Sequence, residues 1–288
     1  MEYYQNKVVL VTGAGSGLGL SIVNQLTKVP NCSILACGRS EARLKDVFAG
    51  NTQIQICCID LEWEDGKIYE AVARIQDRYG RIDVLVNCAG MGFRGTVADT
   101  SMEVDRRIMQ VDYFGQVAVI KGIRTAQIIR GGARLHIIQI SSVQGYFGIG
   151  ERASYSAAKH ALVGFIDSLR AEVDNLTDNS DVIVTMVSPG YIATQHSCNA
   201  LTGNGQLYSR NDETTVSGWP PEEVARKTLL GAANRQREVI LADRKIKFLI
   251  IVRCIFAALC FRLIRNRHVG SKEPIYKSIF KWLIGCDA

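Results

Sequence analysis

The sequence is poor in the features that mark several large classes of protein. Its 288 residues include only 5 prolines and 26 glycines, so no stretch has the composition of a disordered linker or a fibrous repeat. No internal repeat is visible. The nine cysteines lack the paired spacing of a zinc site, and most lie in apolar runs, which predicts buried free thiols and no bound metal.

Long apolar runs are also missing. The strongest candidate, residues 248–264, is interrupted by Arg253 and Arg262 and is shorter than the roughly 20 residues that cross a bilayer. The chain enters its first predicted strand by Lys7, so we expect no secretory or transit segment. Together with free thiols, this predicts the cytosolic, reducing side of the cell.

Charge is nearly balanced over most of the chain. The formal net charge is +6, but residues 243–288 hold ten Lys or Arg and three Asp or Glu, a local balance of +7. The preceding part is therefore close to neutral, which argues against a nucleic-acid partner for the main domain. With 47% hydrophobic residues, the chain can bury a substantial core.

What the sequence does contain is an alternation of short, β-rich apolar runs with helix-length segments. Such runs predict strands buried on both faces of a parallel sheet, and right-handed crossovers then predict a doubly wound α/β fold of about seven strands. The strand candidates are 8–11, 33–36, 53–58, 84–86, 135–140, 182–187 and 239–241.

Two segments do not fit the alternation. Residues 195–220 are rich in Gly, Asn, Ser and Thr and are too long for a simple connection, which predicts a lid over a site. After Asp243 the chain becomes apolar and basic together. We therefore expect one catalytic domain over residues 1–243 and a helical tail over residues 244–288.

A glycine-rich loop, T-G-A-G-S-G-L-G at positions 12–19, follows the first predicted strand and precedes a helix-length segment. Glycines let the backbone approach a pyrophosphate, whose charge is then held by N–H groups at the start of the helix. The G-x-x-x-G-x-G spacing differs from the common G-x-G-x-x-G, and a turn without a ligand is the alternative.

Arg39 follows the second predicted strand, where dinucleotide-binding folds recognise the adenosine ribose. An acidic residue there binds the 2′-hydroxyl of NAD, whereas an arginine accommodates the 2′-phosphate of NADP. Arg39 therefore predicts NADP(H) as the cofactor. The alternative is a solvated arginine at the start of a helix.

Tyr155 and Lys159 lie four residues apart in a predicted helix, which places the phenol and the ammonium on one face. An unperturbed tyrosine titrates near 10, so a nearby cation is needed to bring it towards working pH as a general acid or base. A tyrosine and a lysine with this spacing also occur by chance on the surface of helices. The pair indicates a catalytic site only in combination with the other motifs.

Taken in order, these motifs resemble the short-chain dehydrogenase/reductase family. The matching segments are the loop at 12–19, N-C-A-G at 87–90, I-S-S at 140–142, the Tyr155 and Lys159 pair, and S-P-G at 188–190. The resemblance covers residues 7 to about 242. It implies a Rossmann fold, a nicotinamide cofactor, oxidoreductase activity and a homodimer or homotetramer.

The resemblance also implies roles for individual residues. Ser142 would orient the substrate, Tyr155 would exchange the proton, and Lys159 would hold the nicotinamide ribose and lower the pKa of the tyrosine. Alternation along the strand end should turn Ser141 away from Ser142. The residues expected at the cofactor are Gly13, Ser16, Gly17, Leu18, Gly19, Arg39, Asp60, Asn87, Ala89, Gly90, Tyr155, Lys159, Pro189, Gly190, Ile192 and Thr194.

One position departs from the family pattern. Where the family has an asparagine in V-N-x-x-G, this chain has Asp112. A carboxylate near Lys159 would stabilise the ammonium but raise the pKa of Tyr155 by like charge. If the family role rests on the main-chain carbonyl, Asp112 still serves as an altered fourth catalytic residue.

Within the family, segments 113–118, 141–145 and 239–243 resemble the dehydrogenase/reductase member 7 group. That resemblance implies a steroid-, retinoid- or lipid-like alcohol or ketone as substrate. Five apolar or aromatic residues could line a pocket for it or pack in the core: Tyr146, Phe147, Ile149, Tyr191 and Trp219.

The tail predicts contact with a membrane surface. Residues 275–284 place apolar side chains, Trp282 among them, on one arc and Lys277 and Lys281 on the other, as in a helix lying in a membrane interface. We therefore expect the protein on the cytosolic side of an intracellular membrane, namely the endoplasmic reticulum. A tail helix packed on the domain or between subunits of a cytoplasmic enzyme is the alternative.

The function predicted from the sequence is hydride transfer between NADP(H) and an apolar alcohol or ketone, as in an NADP-dependent dehydrogenase/reductase acting on CH–OH groups. A different class of function is a cofactor-binding scaffold in which Asp112 disables proton transfer. A sugar-nucleotide epimerase is disfavoured, because the glycine spacing is wrong and no large second subdomain follows the sixth predicted strand.

Overall fold

The computed structural model describes residues 1–123, 134–174 and 182–265. Seven parallel strands form one sheet in the order β3-β2-β1-β4-β6-β7-β9. These strands are β1 (Val8–Val11), β2 (Ser33–Gly38), β3 (Ile54–Cys58), β4 (Val84–Asn87), β6 (Leu135–Ile140), β7 (Val182–Pro189) and β9 (Glu238–Leu241). A separate parallel pair joins β5 (Phe93–Arg94) to β8 (Leu201–Thr202). The predicted doubly wound α/β fold is confirmed.

Helices cover both faces of the large sheet. In chain order they are α1 (Gly17–Leu26), α2 (Glu41–Val47), α3 (Asp65–Tyr79), α4 (Met102–Met109), α5 (Gly115–Gly122), α6 (Ala153–Asp174), α7 (Glu213–Val216), α8 (Pro221–Ala233), α9 (Arg244–Ile255) and α10 (Ala257–Arg265). One π-helical turn, Gln110–Phe114, connects α4 to α5.

The strands form where apolar residues run without interruption, because side chains on both faces of the sheet are buried. Every residue of β6 is buried, and β4 is buried throughout. One core packs α1 and α8 on the first face, and another packs α3, α5 and α6 on the second. The hydroxyl of Tyr4 donates to the carbonyl of Leu229 at 2.8 Å and ties the start of the chain to α8.

Several strands extend further than their hydrophobic pattern predicts. β2, β4 and β7 continue to Gly38, Asn87 and Pro189, because backbone pairing with the neighbouring strand persists past the last apolar residue. Their carboxyl ends all lie at one edge of the sheet, and the strand order reverses between β1 and β4 at this edge. That edge is where ligands bind in open α/β sheets.

The segment 195–220, predicted to be a lid, has secondary structure of its own. It contributes β8 and the short helix α7, and β8 pairs with β5 outside the large sheet. The backbone N–H of Trp219 donates to the Tyr191 carbonyl at 2.9 Å, which joins the end of the segment to the chain after β7.

The tail begins with two helices that pack on the domain. Leu249, Ile250 and Val252 of α9 are buried in one cluster with Val143 and Phe147. No helix within the described ranges is long and apolar enough to cross a membrane. The amphipathic pattern at 275–284 lies outside the described residues.

Candidate functional site

The glycine-rich loop turns sharply between β1 and α1. Gly13 and Gly17 adopt positive φ angles of 67° and 52°, a conformation that favours glycine. A side-chain carbon built on Gly13 would lie 2.8 Å from Ala89 Cα, so the loop packs directly against the end of β4. Glycine at position 13 therefore lets the loop pack closely against the chain that follows β4.

Helix α1 starts at Gly17 and points its first N–H groups into this loop. The side chain of Ser16, which precedes the helix, accepts a hydrogen bond from none of them. The first N–H groups of a helix have no partner within it, and with the helix dipole they attract an anion. The arrangement thus has the form of a phosphate site.

A buried hydrogen-bond network fixes the end of β4 beside the loop. The Thr12 hydroxyl donates to Asn87 Oδ1 at 3.1 Å and accepts the N–H groups of Cys88 and Ala89 at 2.9 and 3.0 Å. The Asn87 amide in turn donates to Gln139 Oε1 at 3.0 Å. The sequence predicts Asn87 at the cofactor. Both polar atoms of its side chain are hydrogen-bonded within the protein, so only its backbone is available to the site.

Arg39, at the end of β2, is exposed and lies 3.8 Å from Glu62 Oε1. Glu62 is held more closely by Arg107, at 2.9 and 3.0 Å, which leaves the Arg39 guanidinium weakly paired. Asp60 Oδ1 accepts the Glu62 N–H at 3.0 Å. Arg43, which the sequence motifs did not indicate, donates to the Gly15 carbonyl at 3.2 Å and adds a second cation at this end of the loop.

The chain beyond β7 closes the other side of the loop. The space beside Gly17 is bounded by Thr194, whose Cγ2 would lie 3.5 Å from a side-chain carbon there. The Thr194 N–H donates to the Ile192 carbonyl at 2.8 Å, and the Gly190 N–H donates to the Leu241 carbonyl at 2.9 Å. Pro189 ends β7. Residues 189–194 therefore border the glycine-rich loop, and we call the region between this segment and the loop the cleft.

Tyr155 and Lys159 lie on α6, and Ser142 lies two residues after the end of β6. Tyr155 is half-buried and hydrogen-bonds through its hydroxyl to Ser142, and Lys159 Nζ lies 5.5 Å from the centre of the tyrosine ring. Ser142 precedes a short 3₁₀ turn and accepts the Gln144 N–H at 3.2 Å, which orients it. Ser141 Oγ is buried elsewhere, without a hydrogen-bond partner in the described part of the chain.

Asp112 lies in the π-helical turn between α4 and α5 and is fully buried. Its Oδ1 lies 3.5 Å from Lys159 Nζ and accepts the Met91 N–H at 2.9 Å. A side-chain carbon on Gly90 would lie 2.7 Å from the same oxygen, so only glycine fits there. Extra residues in π turns often redirect a side chain at a functional site. Asp112 Oδ2 has no partner among the described residues.

Burial and neighbouring charges shift the pKa values of these groups. Burial raises the pKa of the Tyr155 phenol, the Lys159 ammonium opposes this rise, and Asp112 adds to it. Burial also raises the pKa of Asp112, against the stabilising effect of Lys159. Burial disfavours the charge on Lys159, but Asp112 and Tyr155 outweigh it and raise the pKa of the ammonium. Tyr155 is therefore protonated at neutral pH.

A second group of charged side chains, which the sequence analysis missed, joins the segment 195–220 to the domain. Arg94 Nη2 lies 2.6 Å from Asp212 Oδ2, and Arg152 Nη2 lies 3.3 Å from the same oxygen. Arg94 also donates to Ser197 Oγ at 3.0 Å. Arg152 is three residues before Tyr155, so this cluster lies close to the catalytic group. The three charged residues are far apart in sequence, and no local pattern indicates their pairing.

His196 is a further neighbour that the motifs did not indicate. Its ring centre lies 6.0 Å from that of Tyr155, at an interplanar angle of 63°. Enclosure of the ring, together with the charges of Arg94, Lys159 and Arg152, lowers the pKa of His196. Within the described ranges, no group of three or more potential metal-binding residues is present.

Comparison with known proteins identifies relatives of this chain. The profile of a family described as short chain dehydrogenase matches residues 7–204. The chain is 40% identical over 280 residues to a Drosophila melanogaster protein named "Dehydrogenase/reductase SDR family protein 7-like", covering 94% of this chain and 83% of that protein. It is 37% identical over 273 residues to "Dehydrogenase/reductase SDR family member 7B" of Danio rerio, covering 91% and 86%.

Solved structures share the fold at lower identity. A short chain dehydrogenase/reductase from Burkholderia phymatum in complex with NAD has a TM-score of 0.77 at 18% identity, covering 95% of this chain and 99% of that chain. A short chain dehydrogenase from Burkholderia cenocepacia in complex with NADP has a TM-score of 0.72 at 24% identity, covering 91% and 98%.

Proposed function

The chain belongs to the short-chain dehydrogenase family, and on this premise we propose that it transfers hydride between NADP(H) and an apolar alcohol or ketone. Its resemblance to the member 7 group is confirmed by relatives of that name. The observation that supports the proposal is the hydrogen bond of Tyr155 to Ser142 with Lys159 Nζ 5.5 Å from the tyrosine ring, in a chain whose glycine-rich loop turns between β1 and α1.

The residues around the cleft fit a dinucleotide. The glycine-rich turn at Gly13 and Gly17 and the start of α1, which no side chain caps, suit a pyrophosphate, and solved structures of the same fold carry NAD or NADP. We propose NADP(H), because Arg39 is exposed and weakly paired and Arg43 lies beside it, so both can reach a 2′-phosphate. The bound nicotinamide would supply or accept the hydride.

The protein's own part of the reaction is to position the substrate and move one proton. In reduction, Ser142 would hold the substrate carbonyl and Tyr155 would give its phenolic proton to the oxygen. Lys159 would stabilise the resulting phenolate by its charge. We propose that Asp112 holds Lys159 charged and in place, while the negative charge of Asp112 itself favours the protonated form of Tyr155, the form that donates a proton in reduction.

The substrate end of the cleft favours an apolar molecule. Tyr155 is packed beside Phe93, Ile108 and Leu201, all buried, with Met91 and Tyr113 partly buried next to them. Of the pocket residues suggested by the sequence, Phe147 and Ile149 instead pack in the cluster formed with α9, and Tyr146 donates to Glu238 Oε2 at 2.7 Å. We propose Tyr191 and Trp219 as the remaining candidates for substrate contact.

We further propose that the enzyme is a homodimer or homotetramer on the cytosolic side of an intracellular membrane, the endoplasmic reticulum. The first part rests on the family, and the second on the charge of the tail, +7 over residues 243–288 against a nearly neutral remainder. A soluble cytoplasmic enzyme is the other possibility.

A scaffold that binds NADP(H) without turnover is the competing function. The observation that favours it is the buried Asp112 beside Lys159, which weakens the effect of the ammonium on Tyr155. The test is NADPH consumption by purified protein over a panel of apolar ketones. Turnover that is lost in Tyr155→Phe supports the enzyme, whereas tight NADPH binding with no turnover on any carbonyl supports the scaffold.

A further inference from the structure

Helices α9 and α10 present two different faces. The inner face is buried, and its residues Leu249, Ile250 and Val252 pack against Val143 and Phe147, directly after the catalytic Ser142. The outer face carries exposed side chains. The pair of helices is thus anchored to the wall of the active site and leaves one side open.

The outer face is strongly apolar. Phe248, Ile251 and Ile255 follow one another at helical spacing on α9, and Phe256 and Phe261 continue the surface onto α10. These five residues, the apolar face, are between 53% and 64% exposed. They make up five of the thirteen large hydrophobic residues that are exposed in the described part of the chain. A cluster of this kind marks an interaction site, whereas scattered exposed residues do not.

Positive charge borders the apolar face. Arg244 and Lys247 lie in the first turn of α9, which contains no acidic residue. Cations at a helix N-terminus oppose the helix dipole, so the helix itself gains nothing from them. Their placement fits an anionic partner. The charge of the whole tail, +7 over residues 243–288, has the same sign.

The apolar face lies beside the opening of the catalytic cleft. Trp219, at the end of the predicted lid, donates from Nε1 to Asp243 Oδ1 at 3.0 Å, and Asp243 immediately precedes α9. Ile246 of the same helix lies against Gly190, since its Cδ1 would be 3.7 Å from a side-chain carbon there. A surface that binds α9 would therefore lie next to the lid.

We infer that the apolar face, with its basic border, docks on an anionic lipid surface and opens the active site towards the bilayer. Aromatic and aliphatic side chains would enter the interface while Lys and Arg remain at the headgroups. The inference rests on the proposed function in one respect, because an apolar substrate dissolved in the bilayer would then enter beside the lid.

Two other partners for the apolar face, a second copy of the chain and residues 266–288, match its positive border less well. A second copy would bring two strongly basic tails together at a symmetric contact, and like charges would oppose that pairing. Residues 266–288 hold four Lys or Arg and two Asp or Glu, so they add to the positive charge and do not neutralise it. A lipid surface with anionic headgroups matches both the apolar and the basic parts.

The test is flotation of the full chain with vesicles of phosphatidylcholine alone and of phosphatidylcholine mixed with phosphatidylserine. The first variant carries Phe248→Ser, Ile251→Ser and Ile255→Ser. Its matched control carries Val97→Ser and Met102→Ser, which remove exposed apolar side chains far from α9. A second variant, Arg244→Glu with Lys247→Glu, reverses charge where acidic residues should stabilise the helix.

We expect the wild type and the control to float with the mixed vesicles, with binding that weakens in salt but persists. The triple serine variant should lose more than about tenfold in partitioning, because three apolar side chains no longer enter the interface. The charge-reversed variant should lose binding to the mixed vesicles while its melting temperature stays equal or rises.

The inference is overturned if the triple serine variant floats as well as the wild type. It is also overturned if the wild type floats with neither vesicle at low salt, or if the triple variant differs from the wild type only in sedimenting as a smaller oligomer. Turnover of a water-soluble ketone without vesicles is measured in parallel. Its absence would contradict the proposed function without affecting the flotation result, so the two failures can be told apart.

Discussion

At the scale of single residues, the site combines groups that could be named from motifs with one that departs from them. The Tyr155 hydroxyl is hydrogen-bonded to Ser142, and Lys159 Nζ lies 5.5 Å from the centre of the tyrosine ring. Asp112 adds a buried carboxylate next to the ammonium. Its effect on the proton equilibrium of Tyr155 is the chemical property that distinguishes this chain from the usual family pattern.

Replacing Tyr155 by phenylalanine removes the proton donor and leaves the ring. We expect kcat to fall at least about a hundredfold, within the usual contribution of a general acid, while NADPH affinity changes by no more than a few fold. Steady-state rates and fluorescence titration of NADPH check this. Lys159→Ala should reduce both quantities. A Tyr155→Phe enzyme with more than about a hundredth of normal activity would exclude Tyr155 as the acid.

Asp112→Asn should lower the pH at which oxidation of the alcohol becomes half-maximal, and should keep or raise kcat at neutral pH. The carboxylate raises the pKa of Tyr155, so its neutral analogue lets the phenol ionise at lower pH. The pH profile of kcat is the measurement, with Glu103→Gln on the exposed face of α4 as the control. A large loss of activity in the folded Asp112→Asn variant would instead show that the carboxylate takes part in catalysis directly.

Arg39→Asp should shift binding from NADPH towards NADH by at least about tenfold, the scale of one charge-assisted contact. The change removes a partner of the 2′-phosphate and supplies an acceptor for the ribose hydroxyl. Dissociation constants for both cofactors, compared with those of Arg74→Asp on α3, provide the test. If the ratio of the NADPH and NADH dissociation constants is unchanged, Arg39 does not recognise the 2′-phosphate, and Arg43 is the remaining candidate.

At the scale of elements, the segment 195–220 is attached to the domain by a small cluster of charges. Asp212 joins it to Arg94 and Arg152, all three largely buried. The two arginines would repel each other without the carboxylate, since the pKa of Arg152 is lowered to about 10 by burial and by Arg94. The charged part of this attachment therefore depends on Asp212, beside the backbone pairing of β8 with β5.

Asp212→Asn should detach this segment. Breaking one partner of a buried ion pair costs about 3–5 kcal/mol, so we expect a lower melting temperature, faster proteolysis within residues 195–220, and a higher KM with a smaller change in kcat. Glu213→Gln, at the neighbouring exposed position, is the control. Unchanged proteolysis and KM would show that backbone pairing of β8 with β5 suffices to hold the segment.

The sequence indicates strands and loops well and long-range contacts poorly. Hydrophobic runs predict all seven strands of the sheet because burial on both faces demands them, and the glycine loop is visible because its conformation demands glycine. The Arg94 and Asp212 pair leaves no such trace, since only the folded chain brings the two together. The π turn at Asp112 is equally invisible, because one extra residue in a helical turn hardly alters the hydrophobic pattern.

At the scale of the whole molecule, cofactor binding should appear as thermal stabilisation independent of turnover. Saturation at 100 times the dissociation constant adds about 2.7 kcal/mol, which raises the melting temperature by roughly 5–10 °C for a domain of this size. We expect NADPH to stabilise more than NADH at equal concentration, measured by differential scanning fluorimetry. Equal shifts would contradict the proposed NADP preference, and no shift with either would contradict cofactor binding itself.

The strand order has a consequence for synthesis on the ribosome. β1 pairs with β2 and β4, and β6, β7 and β9 then join one edge in the order in which they are translated. Each new strand can therefore add to a sheet that already exists, without rearrangement of earlier pairs. The Tyr4 hydroxyl, however, donates to the carbonyl of Leu229, which is translated 225 residues later. A nascent chain can thus acquire its nucleotide loop early, but the bond that secures its first residues forms only when translation is almost complete.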